Sequence, residues 1–154
     1  MRRGTLIAAL ALFLAGCGED DAQTPVACFG DSDTYLAALE AAPGEVRLDG
    51  TTAISDCLVE NQSEGDLGSV GEPLIGAATQ LNREAREAPG GAAAIRLGYL
   101  IGAVQEGASK TGGIHEDLVI RLDAAARFSQ AGGALPVEFE RAFGEGYAAG
   151  QTSG

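Results

Sequence analysis

Apolar residues recur at helical spacing along most of the chain beyond residue 70. Four stretches place apolar side chains three or four positions apart, with polar residues between them: residues 72–87, 92–109, 114–130 and 137–149. Glycine pairs separate these stretches, at 90–91, 112–113 and 132–133. Pro136 stands where a proline commonly begins a helix. The pattern predicts a mostly α protein, a compact bundle of four to five antiparallel helices joined by short turns.

The chain before residue 72 has weaker periodicity. Asp31-Ser32-Asp33 can cap a first helix that runs to about residue 42, where Pro43-Gly44 ends it. Residues 44–71 show no sustained spacing, and their polar, glycine-containing end at 61–71 indicates loop or frayed helix. We therefore predict an irregular segment between the first helix and the bundle.

The stretch 92–109 is the most apolar part of this bundle. A membrane span needs about 20 apolar residues, so at this length we expect a buried central helix. Gly98 and Gly102 lie four positions apart and in line with Ala94. Such a stripe of small residues predicts that another helix packs closely against this one.

The N-terminus is typical of an export signal. Arg2 and Arg3 are followed by an apolar run over residues 5–14, too short to cross a bilayer core of about 30 Å. The next four residues, Leu14-Ala15-Gly16-Cys17, resemble the lipobox of bacterial lipoproteins. The alternative is an ordinary cleaved signal that leaves Cys17 as a simple thiol.

The resemblance to lipoproteins covers these residues alone and implies a particular maturation. The signal, residues 1–16, would be removed, and Cys17 would carry diacylglycerol and often a further acyl chain such as palmitate. Residues 17–27 would then form a lipidated tether and residues 28–151 a single helical domain. The expected location is the cell membrane, with the domain facing outside the cytoplasm and held by the lipid on Cys17.

Two cysteines remain once Cys17 is assigned to the lipid. In an exported protein an even number of cysteines favours a disulfide, here Cys28–Cys57, over two free thiols. In the loop-entropy description such a bridge contributes about 3.5 kcal/mol. The bridge would clip the irregular segment near the N-terminus of the domain.

The charge of the chain excludes some partners. The net charge is −12, and removal of residues 1–16 takes away Arg2 and Arg3 and lowers it to −14. Nucleic acid requires a basic face, so we expect no nucleic-acid partner. Electrostatic attraction to anionic lipid is disfavoured for the same reason.

Two groups of residues are candidates for a site. Phe139, Phe143 and Tyr147 share one face of the last predicted helix, which indicates either core packing or an interaction surface for a partner protein. His115 is the single histidine, and the acidic residues after it suggest the exposed first turn of a helix.

The acidic loop 60–66 lacks the alternating carboxylates of a calcium loop, and no nucleotide, nucleophile or zinc motif occurs. We therefore predict no cofactor, no metal and no enzyme activity. The first hypothesis is a lipid-anchored interaction or structural module of the cell envelope, with an envelope protein as a possible partner. The alternatives are a small-ligand-binding lipoprotein with a pocket between helices and, less favoured, an enzyme that uses carboxylate chemistry.

Overall fold

The structure, a computed structural model, describes residues 23–128 and 134–154. This part of the chain contains five α-helices and no strand, which confirms the mostly α bundle predicted from the apolar spacing. The helices are α1 Ser32–Ala38, α2 Glu64–Glu87, α3 Ala92–Ser109, α4 Glu116–Ala126 and α5 Val137–Ser153. Single 3₁₀ turns lie at Val26–Phe29, Leu39–Ala41 and Ser55–Cys57.

The bounds of α3 coincide with the prediction, whereas α2 begins earlier than predicted. The expectation of loop or frayed helix over 61–71 is wrong from Glu64 onward. Ser63 caps the helix, because its Oγ accepts a hydrogen bond from the amide of Asp66 at 3.1 Å. Val70 and Leu74 then face the core, and this packing stabilises a glycine-rich turn whose own helix propensity is poor.

The fourth helix is shorter than predicted at both ends. Gly112 and Gly113, the pair predicted to separate the two helices, adopt positive φ angles of 63° and 94°. The turn that contains them extends through Ile114 and His115, so α4 begins two residues later than predicted. At the other end, Asn82 of α2 donates from Nδ2 to the carbonyl oxygens of Ala125 (2.7 Å) and Arg127 (3.1 Å). These bonds satisfy carbonyl groups at the end of α4 that have no partner within the helix.

The central helix of the bundle is α3, as predicted, and α2, α4 and α5 all pack against it. Helices two apart along the chain run in the same direction. Leu118 meets Gly71 near the start of α4 and α2, while Asn82 reaches the end of α4, so α2 and α4 are parallel. Within the described residues, no helix combines the length and the apolar character that crossing a membrane requires.

The contact between α3 and α5 is made by backbone atoms. A Cβ added at Gly98 would lie 2.8 Å from the Tyr147 amide nitrogen, and closer still to the carbonyl oxygen of Phe143. A Cβ at Gly146 would lie 2.9 Å from the Tyr99 nitrogen. The close packing predicted for Gly98 and Gly102 is therefore present, and glycines of α5 pack against the backbone of α3 in the same way.

Gly102 and Gly150 repeat this arrangement one turn later. An added Cβ at Gly102 would lie 3.0 Å from the nitrogen of Gln151, and one at Gly150 would lie 2.9 Å from the nitrogen of Ala103. Residue numbers rise together on both sides, so α3 and α5 are parallel. Ordinary helix pairs are separated by about 8–10 Å, and this pair must be closer because no side chain lies between the backbones.

Two glycines of α5 provide a matched test of this contact. We expect Gly146→Ala to lower the free energy of unfolding by about 1–3 kcal/mol or more, because the added methyl meets backbone that cannot move aside. Gly144→Ala should instead raise it by up to about 1 kcal/mol, since nothing lies within 4 Å of that position and alanine is the better helix former. Urea unfolding followed by circular dichroism measures both; equal effects at the two positions would contradict the close contact.

Candidate functional site

The disulfide joins the N-terminal turn to the irregular segment. Cys28 and Cys57 are bonded, with their Cα atoms 5.4 Å apart, and both residues are fully buried. The predicted bridge is therefore present. Tyr35 of α1 packs beside it and donates its hydroxyl to the Cys28 carbonyl oxygen at 2.7 Å. Burial raises the pKa of Tyr35, so this hydroxyl keeps its proton as a donor.

His115 is buried, with 1% of its surface exposed, and the expectation that it lies in an exposed first turn is wrong. It precedes the first residue of α4 as the N-cap, and its ring points inward. The Nδ1 atom lies 2.7 Å from Thr111 Oγ1, and the Nε2 atom lies 2.6 Å from Gln62 Oε1. Both ring nitrogens therefore have hydrogen-bond partners inside the protein.

The partners of Gln62 determine which nitrogen of His115 carries the proton. The amide nitrogen of Gln62 donates to the Cys57 carbonyl oxygen at 3.0 Å, so the Gln62 oxygen faces the imidazole and can only accept. His115 Nε2 must then be the donor. In the neutral ring Nδ1 accepts from the Thr111 hydroxyl, which is the tautomer the site holds.

A single hydroxyl rotation accommodates the charged form as well. Thr111 Oγ1 also lies 2.8 Å from the Ala108 carbonyl oxygen, to which it can donate when Nδ1 of His115 becomes a donor. Protonation thus leaves every hydrogen bond satisfied but puts a charge in a buried place. Burial lowers the pKa of His115.

The network continues from His115 to the beginning of the described chain. The Gln62 amide also donates to Thr24 Oγ1 at 2.8 Å, and the Thr24 hydroxyl lies 3.4 Å from an Asp66 carboxylate oxygen. Gln62 itself is buried. The start of α4, the disulfide segment and the incoming chain are therefore held together through one glutamine side chain.

A cleft of about 520 Å³ opens beside this network. Its walls combine an aromatic ring, an aliphatic side chain, hydroxyl and amide groups and two carboxylates, from Phe29, Val59, Thr24, Gln62, Glu60 and Asp66. Asn61 at its edge adopts a left-handed conformation with φ of 60°, which asparagine tolerates better than most residues. A smaller groove of about 140 Å³ lies between α2 and α4, with Leu67 and Leu118 among its walls.

The three aromatic residues of α5 form one row that Phe128 extends. Successive ring centroids are 4.1, 5.6 and 6.2 Å apart from Phe128 through Phe139 and Phe143 to Tyr147. Phe139 is buried, whereas Phe143 and Tyr147 are half-buried. The Tyr147 hydroxyl donates to Gln105 Oε1 of α3 at 2.6 Å. The row thus packs on the bundle and also reaches its surface, and its use as an interaction surface stays a prediction.

The predicted lipidation site, the acidic stretch and a metal site remain to be located. Cys17 lies outside the described residues. The acidic stretch 60–66 forms the edge of the cleft and the first turn of α2 rather than a separate loop. Among residues 23–128 and 134–154, no three histidine, cysteine or carboxylate side chains come together as metal ligands would.

No known protein family, curated protein sequence or solved structure matches this chain.

The buried imidazole predicts how stability depends on pH. The pKa of His115 is lowered below its ordinary value of 6.5, so the unfolded chain takes up the proton first. The stability is complete above pH 6.5 and is lost as the pH falls from there through the pKa of the folded state. We expect the free energy of unfolding of the wild type to decrease between pH 7 and pH 5, and that of His115→Gln to change less over this range.

The chain has one histidine, so the Hε1 proton of its imidazole gives one resonance whose chemical shift reports the pKa directly. Thr111→Val removes the partner of Nδ1 and should lower the pKa further, whereas Thr111→Ser should preserve it. Asp31 and Asp49 do not interfere, because hydrogen bonds from neighbouring threonines lower the pKa of both carboxyls, which then titrate well below pH 5. A folded-state pKa of 6.5 or higher for His115 would contradict the predicted lowering of its pKa by burial and the loss of stability below pH 6.5.

Proposed function

We propose that this chain is an exported lipoprotein whose helical domain is held at a membrane by lipid on Cys17 and acts as an interaction or structural module of the cell envelope. The observation that carries the proposal is the order of Arg2-Arg3, the apolar run 5–14 and Leu14-Ala15-Gly16-Cys17. The buried Cys28–Cys57 bridge supports it modestly, because disulfides persist mainly in oxidising compartments.

The interaction role is supported by the aromatic row of α5. Aromatic residues are enriched in protein interfaces, and the exposed portions of Phe143 and Tyr147 lie on a helix whose position is fixed by backbone contact with α3. A rigid aromatic surface loses little conformational freedom when a partner covers it. The role proposed for the row is therefore recognition of an envelope protein near the same membrane.

Lipid attachment is tested by expressing the full chain in a bacterial host. We expect the mature protein to begin at Cys17, to exceed the peptide mass by its acyl groups and to remain with the membrane fraction. Cys17→Ala should be found without lipid and released from the membrane. Cys28→Ala/Cys57→Ala is the matched control, since it also removes thiols but should keep the lipid. Intact-mass measurement of wild type without acyl groups would contradict the proposal.

The interaction role is tested in the same cells by crosslinking. A single envelope protein should co-purify with the wild type and be lost both with Cys17→Ala and with Phe143→Ala/Tyr147→Ala. If only the background proteins seen with an untagged strain are recovered, the chain has no stable partner and the interaction role is wrong.

The second candidate function is binding of a small ligand, and the cleft of about 520 Å³ favours it. Ligand sites commonly have volumes of about 300–1,000 Å³. Glu60 and Asp66 lie in its walls together with the Phe29 ring, and a carboxylate pair beside an aromatic face suits a small organic cation. The sequence predicts a ligand pocket between two helices, whereas this cleft lies beside the N-terminal segment.

Two amines, putrescine and choline, serve as probes of the cleft. If it binds cations, one of them should raise the melting temperature with increasing concentration, because a ligand of the folded state stabilises it by mass action. Val59→Trp should abolish the increase by filling the cleft, whereas Ile120→Trp, on an exposed position of α4, should preserve it. An unchanged melting temperature with both amines would exclude a cation site of useful affinity.

A further inference from the structure

The 3₁₀ turn Val26–Phe29 exposes two large apolar side chains. Val26 is 87% exposed and Phe29 is 43% exposed, while Cys28 between them is fully buried in the disulfide. A 3₁₀ helix has three residues per turn, so Val26 and Phe29 project from the same side. We call these two residues the N-terminal apolar patch. The disulfide fixes the opposite side of the turn to the domain.

The patch lies beside the point where the chain from Cys17 joins the domain. Thr24 is fixed by its hydrogen bonds to Gln62 and Asp66, only two residues before Val26. Thr24 follows Cys17 by seven positions, and seven residues reach at most about 25 Å when fully extended. A lipid on Cys17 therefore keeps this end of the domain within about 25 Å of the bilayer surface.

The far end of the domain cannot be equally close when the N-terminal end faces the bilayer. Asp66 lies in the first turn of α2, and this helix has 24 residues, which corresponds to a length of about 36 Å. The start of α5 lies near its other end, because an added Cβ at Gly90 would be 3.1 Å from the Cβ of Glu138. Val137 is adjacent to Glu138 and is 75% exposed, so it is an apolar residue on the end away from the tether.

The charge around the patch determines which lipid surface it suits. Residues 23–72 contain ten carboxylates and one basic residue, Arg47. The Arg47 guanidinium is engaged elsewhere, donating to the carbonyl oxygens of Val46 and Ser153 at 2.9 and 2.8 Å. Lys110 and Arg121 also lie at this end, and each is paired with a carboxylate four positions earlier in the chain. This end of the domain therefore has an excess of negative charge, which disfavours anionic lipid and leaves the apolar side chains to make the contact.

We propose that the N-terminal apolar patch enters the interfacial layer of a zwitterionic bilayer beside the lipid anchor and orients the domain with its N-terminal end toward the membrane. The proposal rests on the lipid attachment proposed above for Cys17. The lipid brings the patch to the membrane surface. Because the Cys28–Cys57 disulfide holds the patch rigidly on the domain, insertion of the patch gives the domain a defined orientation.

The chain contains no tryptophan, so one introduced tryptophan reports its own depth. Phe29→Trp is made in the full lipidated chain and reconstituted in vesicles of phosphatidylcholine and phosphatidylethanolamine. We expect a blue-shifted emission and strong quenching by lipids brominated along their acyl chains. Val137→Trp is the matched control, and its emission should remain that of a water-exposed indole with little quenching.

Two further variants test the role of the patch. Val26→Asp, made together with Phe29→Trp, should reduce the quenching several-fold while the protein stays membrane-bound through its lipid. Replacing part of the zwitterionic lipid by phosphatidylglycerol should also reduce it, because the surrounding carboxylates are repelled. Thermal unfolding of each variant is the control that tests whether its fold is retained.

The outcomes distinguish the two proposals. If the protein is membrane-bound and the indole of Phe29→Trp is as exposed to water as that of Val137→Trp, the patch does not enter the bilayer, and the lipid attachment is unaffected. If the two variants are quenched equally by the brominated lipids, the domain has no preferred orientation, and the inference is wrong. If the expressed chain carries no lipid at all, the proposed function fails and this inference fails with it.

Discussion

The parallel contact between α3 and α5 is made of backbone on both sides, and the positions of several other parts follow from it. Where two side chains meet, a change in one can be absorbed by rotation of the other, but carbonyl and amide groups in a helix have no such freedom. Gly98 and Gly146 are therefore fixed in register, and α5 can occupy only one position on α3. This register places the aromatic row against α3. It also fixes the position along α3 at which α5 ends.

The end of α5 in turn holds the irregular segment. Arg47 donates to the Ser153 carbonyl oxygen, and the Ser55 hydroxyl donates to that of Gly154, so two points of the segment are tied to the last turn of the helix. Gly107 of α3 brings the backbone of Ser55 close on the other side, since an added Cβ would lie 2.6 Å from its carbonyl oxygen. The Ser55–Cys57 turn then presents Cys57 to Cys28. A segment with little regular structure is in this way held between a glycine-mediated helix contact and a disulfide.

The apolar spacing of the sequence was sufficient to predict the helices that pack on α3, and the cysteine count was sufficient for the bridge. The start of α2 was missed because Gly65, Gly68 and Gly71 weaken helix propensity. The Ser63 cap and the tertiary packing of Val70 and Leu74 compensate for them. His115 did leave a signal. It precedes Leu118 by three positions and Leu122 by seven, which places it on the buried face of α4, and the two acidic residues after it concealed this. Gln62 and Thr24 gave no signal, since their role depends on contacts between residues distant in the sequence.

The hydrogen bonds of Thr24 have a mechanical consequence for a chain attached to a membrane through its N-terminus. The first residues of a domain usually fray, and a pull on a frayed end removes its contacts one at a time. If the chain is anchored at Cys17 as proposed, a pull from the membrane reaches Thr24. Its partner Gln62 is bonded to His115 and to the Cys57 carbonyl oxygen, so the load is shared between α4 and the disulfide segment. Four residues beyond Thr24, the covalent bridge at Cys28 prevents further peeling. A disulfide and a buried polar network are concentrated at this one end, and this supports the anchoring proposed at Cys17, because a membrane holding that residue would act on the domain at this end.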